Sequence, residues 1–107
     1  MRSVLTGDIG MQIEAQDGTI VLKKLGRTFA ARDAERAAEL LRSFMPFSQL
    51  VLDFTKVREC DDGAFLSLMQ TLQSLVGVRV VLRGLTRHQA RLLAYLGTPG
   101  SRIEAQA

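Results

Sequence analysis

Short runs of strand-type apolar residues alternate along this chain with segments whose apolar positions recur every three or four residues. Residues 49–54 and 78–82 are nearly continuous apolar runs, each short enough for a strand and bounded by polar or turn residues. Because parallel strands are joined by crossovers that are usually helices, this alternation predicts an α/β fold with a mostly parallel sheet. The unbroken run at 49–54 predicts a central strand covered on both faces. A length of 107 residues suits one core, so we expect a single domain over residues 1–107.

The N-terminal part of the chain predicts an antiparallel hairpin. Apolar and polar residues alternate over residues 9–15, beginning at Ile9, and a second β-type run covers residues 19–22. Between them, Asp17-Gly18 supplies the positive φ angles of a tight turn. Residues 102–104 are a candidate short last strand. The whole pattern predicts one sheet of four to five strands, packed against three helices.

Three segments have the apolar spacing of amphipathic helices. Their apolar positions are, in chain order, Ala34, Ala37, Ala38, Leu41, Phe44 and Met45; Phe65, Leu68, Met69, Leu72, Leu75 and Val76; and Leu92, Leu93, Tyr95 and Leu96. Pro46 is expected to stop the first helix, Gly77 the second and Gly97 the third. Thr86 and Gln89 have the spacing of a capping box at the start of the third helix.

The formal net charge of +3 comes from 14 basic against 11 acidic residues. In the first helix, arginines and acidic residues alternate, which is typical of a solvated helix face; these residues are Arg32, Asp33, Glu35, Arg36, Glu39 and Arg42. Only Arg79, Arg83, Arg87 and Arg91 recur without acidic neighbours. No aromatic side chains are interleaved with them for stacking on bases, so nucleic-acid binding is not favoured.

The expected location is the cytoplasm. No apolar stretch reaches the roughly 18 residues of a membrane span, and no signal-peptide pattern opens the chain. A single cysteine, Cys60, cannot form an internal disulfide.

A group of carboxylates is the densest set of chemically active side chains. Asp53 ends a strand, and Glu59, Asp61 and Asp62 lie in the loop before the second helix. Clustered carboxylates can hold Mg²⁺ for phosphoryl transfer, but the same residues can also cap a helix start and a strand end. The capping interpretation is favoured because no second acidic pair follows the first strand and no lysine lies at a late strand end. We therefore expect no metal and no cofactor.

The other candidate catalytic residues are isolated in the sequence. His88 lies in the first turn of the third helix, with no serine or cysteine placed as its partner, so we interpret it as a solvated helix residue. Cys60 lies between Glu59 and Asp61, whose charges disfavour a thiolate, and is interpreted as a buried small apolar residue. The sequence thus predicts no enzymatic activity.

Four segments together resemble the STAS domain, the anti-sigma-factor antagonist family. They are residues 50–57, 60–66, 80–85 and 92–97, which read LVLDFTKV, CDDGAFL, VVLRGL and LLAYLG. In the family these correspond to a strand ending in an Asp, an Asp-Ser-Ser/Thr-Gly helix start, a strand ending in x-Gly-Leu, and a Leu-Leu-x-x-x-Gly helix end. The resemblance covers roughly residues 20–100 in the same order.

This resemblance implies a regulatory domain that binds proteins and has no enzymatic activity. Family members are phosphorylated by a serine-kinase anti-sigma factor on the serine that follows the Asp of the helix start. Asp61 matches that Asp, and the phosphorylated serine falls on Asp62. Gly63 and Ala64 occupy the next two motif positions. Asp61 to Ala64 are therefore the expected partner-binding and switch residues, without the hydroxyl group that is modified in the family.

The resemblance leaves the partner open among an anti-sigma-factor kinase, a signalling scaffold and a transporter ATPase. The strand-end loop with Asp53 and Thr55 is a second candidate site. The alternative from another class is a small Mg²⁺-dependent receiver-like domain with Asp53 as phosphoryl acceptor. The chain could also be an accessory subunit of a transporter ATPase.

Overall fold

The structure, a computed structural model, describes residues 2–6, 10–96 and 102–106. The strands of these residues are β1 (Arg2–Thr6), β2 (Met11–Gln16), β3 (Thr19–Lys24), β4 (Thr28–Phe29), β5 (Gln49–Asp53), β6 (Glu59–Cys60), β7 (Arg79–Arg83) and β8 (Arg102–Gln106). The helices are α1 (Ala31–Ser43), α2 (Asp62–Gln73) and α3 (Arg87–Leu96). Ile9 and Gly97, where a strand and a helix end were expected, lie outside the described residues. No helix in the described part of the chain is long and apolar enough to cross a membrane.

The described strands form a six-stranded sheet in the order β1-β2-β3-β5-β7-β8 and a two-stranded sheet of β4 and β6. The first three strands are antiparallel, and β3, β5, β7 and β8 are parallel. The predicted α/β class, hairpin, parallel part and three helices are confirmed. The main sheet has one strand more than expected, because β1 pairs along the outer edge of β2 without a distinct apolar pattern of its own.

All three helices pack on one face of the main sheet. Each crossover from β3 to β8 moves to the next position in the same direction, so right-handed connections place every helix on the same side. One face of the strands therefore joins the helices in a single core. The buried residues that the main sheet contributes to that core are Met11, Ile13, Ile20, Leu22, Leu50, Leu52, Val80 and Leu82.

β5 is a central strand whose middle three residues are buried, as the sequence predicted, but helices cover only one of its two faces. Leu50 and Leu52 lie in the core, whereas Val51 points to the face without helices. There it lies in register between Val21 and Val81. Val51 is only 6% exposed, since Val21 and Val81 flank it and the long side chains of Gln49 and Arg83 lie in the adjacent rows. A continuous apolar run therefore reflected a shielded central row and not a second helix layer.

Three residues expected on buried helix faces are exposed. α1 ends at Ser43, so Met45 lies beyond the helix and is 46% exposed. α2 ends at Gln73, so Val76 lies beyond the last helical turn and is 83% exposed. Tyr95 lies on α3, two residues after the buried Leu93. Two residues correspond to a rotation of about 200° around the helix axis, so Tyr95 points away from the core and is 92% exposed. The predicted apolar face extended too far in all three helices.

A buried ion pair joins the end of β3 to the first turn of α1. Lys24 Nζ lies 3.1 Å from Asp33 Oδ1, and the two residues are 6% and 8% exposed. The backbone N–H of Ala30, which precedes the helix, donates to Asp33 Oδ2 over 2.8 Å. Asp33 was expected on a solvated face, and this was wrong because it turns inward to meet Lys24. One carboxylate thus both neutralises a buried ammonium group and satisfies an amide at the helix start.

Removing this carboxylate should destabilise the fold strongly. We expect Asp33→Ala to lower the free energy of unfolding by about 3–5 kcal/mol, because it leaves the buried ammonium group of Lys24 without its negatively charged partner. The double variant Lys24→Met, Asp33→Asn removes both charges and keeps an oxygen for the Ala30 amide. It should lie closer to wild type in urea unfolding. Equal losses for Asp33→Ala and the double variant would contradict this explanation.

Candidate functional site

Asp53, at the end of β5, closes the turn that follows this strand. Its Oδ1 accepts hydrogen bonds from the backbone N–H of Thr55 over 2.9 Å and from Thr55 Oγ1 over 2.6 Å. Partial burial raises the pKa of Asp53, but the Thr55 hydrogen bonds and the charges of Lys23 and Arg83 together hold that pKa below its usual value. The carboxylate therefore serves the turn as an ionised acceptor.

The backbone of the Asp53 turn is crossed closely by the chain after β7. Gly84 has a φ of +76°, and a Cβ at this position would lie 2.6 Å from both the Cα and the N of Thr55. The N–H of Phe54 donates to the carbonyl of Arg83 over 2.9 Å and holds the two segments together. Position 84 therefore requires glycine for two reasons, which are the close packing against Thr55 and the positive φ angle.

A side chain at Gly84 should therefore cost more than its φ angle alone. We expect Gly84→Ala to lower the free energy of unfolding by about 2–4 kcal/mol. Gly77 is a matched control, since its φ is +79° and nothing lies within 4 Å of the added Cβ. Gly77→Ala should cost about 1 kcal/mol. Similar losses for the two variants in chemical denaturation would rule out the close approach as the cause.

The loop before α2 presents acidic side chains at the helix start. Asp61 is the N-cap residue, and its Oδ2 accepts the backbone N–H of Ala64 over 2.9 Å. Asp61, Asp62 and Gly63 are exposed, whereas Ala64 is 3% exposed and turned into the core. Of the four expected partner-binding residues, Ala64 contributes only its amide to this end of the helix. The capping interpretation of Asp61 is correct.

Asp62, the first residue of α2, contacts His88 in the first turn of α3. His88 Nε2 lies 2.9 Å from Asp62 Oδ2 and 3.1 Å from Oδ1. Both side chains remain more than half exposed, at 55% for Asp62 and 62% for His88. The interpretation of His88 as a solvated residue missed this partner, because 26 positions separate the two residues and only the crossover through β7 brings them together. An exposed pair of this kind adds little stability.

Asp62 and His88 share a cleft between the start of α3 and the loop before α2. The other residues of this cleft are Val57, Arg58, Cys60, Thr86 and Gln89. The predicted capping box is present at its edge. The N–H of Thr86 donates to Gln89 Oε1 over 2.9 Å, and the N–H of Gln89 donates to Thr86 Oγ1 over 3.1 Å. These two hydrogen bonds stabilise the first turn of α3, which contains His88.

Cys60 lines the same cleft and is half-buried. Burial raises the pKa of its thiol, and the negative charges of Asp62 and Asp61 raise it further, against a hydrogen bond with Gln89 that lowers it. The acidic neighbours act as the sequence indicated. A protonated thiol is a poor nucleophile, so Cys60 serves here as a packing residue.

The structure separates the carboxylates that the sequence grouped. Asp53 faces a shallow depression on the uncovered side of the sheet, with Gln12, Glu14, Val21 and Lys23. Asp62 belongs to the cleft in the helix layer. Among the described residues, no three or more His, Cys, Asp and Glu side chains are grouped as a metal site would require.

The capping box can be tested directly. We expect Thr86→Ala to lower the free energy of unfolding by about 1 kcal/mol, because it removes the acceptor for the Gln89 amide. Thr86→Ser keeps the hydroxyl and should stay close to wild type. Thermal and urea unfolding would measure both variants. A midpoint for Thr86→Ala that matches that of Thr86→Ser would show that these bonds do not hold α3.

The structure was also compared with known proteins. No family model matches the sequence, and no curated protein matches it. Among the solved structures, the chain is similar to the murine Solute Carrier 26 family member A9 anion transporter in the inward-facing state. The TM-score is 0.55 at 16% sequence identity, over 77% of this chain and 14% of that chain. The fold of this chain is STAS-like.

Proposed function

We propose that this chain is a cytoplasmic regulatory module of the STAS type that binds a partner protein and has no enzymatic activity. Its partner-binding surface is the start of α2, with Asp61, Asp62 and Gly63. The observation that carries the proposal is the exposed carboxylate of Asp62 at the first position of α2 in a STAS-like fold. That position is where the family resemblance places a phosphorylated serine.

The polar groups around the cleft favour binding over catalysis. Asp61, Thr86 and Gln89 are engaged in capping hydrogen bonds. Cys60 has a raised thiol pKa. What the surface offers to a partner is the exposed pair of Asp62 and His88, which supplies charge and hydrogen bonds without an activated nucleophile.

The carboxylate of Asp62 would act as a permanent but incomplete substitute for phosphoserine. A phosphoserine carries about −1.5 to −2 charges and three acceptor oxygens, whereas Asp62 carries one charge and two oxygens. Asp62 also lies against His88, whose Nε2 is 2.9 Å from its Oδ2. The module would therefore bind its partner in one fixed state, without a phosphorylation cycle at this position.

The candidate partners are an anti-sigma-factor kinase, a signalling scaffold and a transporter ATPase. The likeness to an anion transporter structure supports a second candidate function, in which the module serves a transporter as a regulatory domain or accessory subunit. In either case the contact would be made by the same end of α2.

The test compares Asp62→Ser, Asp62→Asn and wild type against a kinase-type anti-sigma factor or a transporter subunit encoded beside this chain. With the kinase and ATP, wild type should give no phosphoserine at this position, and Asp62→Ser should be phosphorylated. Both neutral variants should bind the kinase more tightly, by about 1–3 kcal/mol, if the carboxylate repels it as phosphate would. Against a transporter subunit that contacts Asp62, both should bind more weakly.

Glu59→Gln is the matched control, because Glu59 is an exposed carboxylate on β6 outside the start of α2. It should leave the affinity unchanged in isothermal titration calorimetry. Equal affinities of wild type, Asp62→Ser and Asp62→Asn for every such partner would refute the proposed binding surface.

A further inference from the structure

One exposed face of α3 carries two arginines and a tyrosine at intervals of four residues. Arg87, Arg91 and Tyr95 are spaced by four residues, so they lie one above the other on the helix surface. We refer to these three residues as the α3 stripe. All three are exposed, and the Tyr95 ring is almost fully so, at 92%. Gln89 and Leu93 hold the opposite side of the helix in the protein.

The charge of the α3 stripe is not balanced within the described part of the chain. Residues 87–96 contain no Asp or Glu. The ion pairs found among the described residues involve Lys24, Arg36, Arg79 and His88, and none of them includes Arg87 or Arg91. α1 differs, because Arg36 and Glu39 pair on its surface.

The arrangement also does not serve the stability of α3 itself. Arg87 and His88 occupy the first turn, where the helix dipole favours negative side chains, and the last turn has no basic residue. Tyr95 gains nothing from burial in the fold. A fold-based explanation for this combination of residues is therefore missing, whereas arginine and tyrosine are the residue types that carry binding energy at protein interfaces.

We propose that the α3 stripe docks an acidic helical segment of the partner protein. Two carboxylates one helical turn apart would meet Arg87 and Arg91, since guanidinium groups bind carboxylates through paired hydrogen bonds. An apolar side chain one turn further along would cover Tyr95. This inference rests on the proposed function for the existence of a protein partner, and it states the chemistry of that partner.

The size of the stripe favours a protein segment over a membrane or a nucleic acid. Stable attraction to anionic lipid needs clusters of about four to eight basic residues. Nucleic-acid binding draws on many phosphate contacts. The α3 stripe has two cations and an aromatic ring, which fits a small interface anchor. It begins at Arg87, next to His88 and its partner Asp62, so one partner could cover the stripe and the start of α2 together.

The test is an NMR titration of the ¹⁵N-labelled full chain with a synthetic helix-forming peptide. The peptide carries Glu at two positions four residues apart and Leu four residues later, and the control peptide has Lys in place of both Glu. Shifts should be confined to residues 87–96 and their neighbours, and they should weaken with added salt. The lysine peptide should produce none.

Charge reversal of the stripe separates it from general electrostatic attraction. The variant Arg87→Glu, Arg91→Glu should bind the acidic peptide at least about tenfold more weakly. The matched control Arg32→Glu, Arg42→Glu makes the same change in net charge on exposed positions of α1 and should bind like wild type. Circular dichroism and thermal unfolding confirm that both variants are folded. Tyr95→Ser should weaken binding without altering the salt dependence.

Several results would overturn the inference. They are the absence of shifts in α3 at millimolar peptide, an equal response to the lysine peptide, and an equal loss in the α1 control. Binding of phosphatidylserine vesicles or of a single-stranded RNA that depends on Arg87 and Arg91, with no binding of the acidic peptide, would also overturn it. Asp62→Asn should leave peptide binding intact, so a failure of the proposed α2 surface and a failure of the α3 stripe would be seen separately.

Discussion

The constraint on which the rest of this structure depends is the single direction of its crossovers. β3, β5, β7 and β8 are neighbours in chain order, so each right-handed connection places its helix on the same face of the sheet. One core results, and the other face keeps only a shielded row of valines. The strand order never reverses among these parallel strands, and the cleft at the carboxyl ends of β5 and β7 lies between the loop before α2 and the start of α3. Asp53 closes the turn after β5 and faces the uncovered side of the sheet, away from that cleft.

Polar chemistry is concentrated at the starts of the helices. Each helix start has backbone amides that need acceptors, and Asp33, Asp61 and Thr86 meet part of that need. The starts of α2 and α3 lie side by side because β5 and β7 are adjacent. Charged residues from two separate parts of the sequence thereby form one surface. On this surface Asp62 of α2 contacts His88 of α3, and the α3 stripe lies beside them. A binding surface can form there without any cavity in the core.

Parts of this site were predictable from the sequence because they depend on short-range contacts. The Asp61 cap and the Thr86–Gln89 box span three residues each, so their spacing alone predicted them. The effect of acidic neighbours on Cys60 was equally local. The contact of Asp62 with His88 and the burial of the Lys24–Asp33 pair had no such signal, since an acidic or basic side chain in an amphipathic helix looks solvated until the partner element is in place. Asp33 is buried and Glu35 is exposed because Asp33 lies on the helix face turned to Lys24 at the end of β3.

The sequence by itself determined the alternation of strands and helices, the hairpin at Asp17-Gly18 and the caps, because periodicity and turn chemistry act over a few residues. Only the tertiary structure decided which apolar residues are covered. Val51 is buried without a helix over it, whereas Met45, Val76 and Tyr95 are exposed, because burial depends on what packs around each position. Because all the crossovers run in the same direction, the helices form a layer on one side of the sheet and none on the other. The grouping of Asp62 with His88 arises from the adjacency of β5 and β7, which no local pattern in the chain encodes.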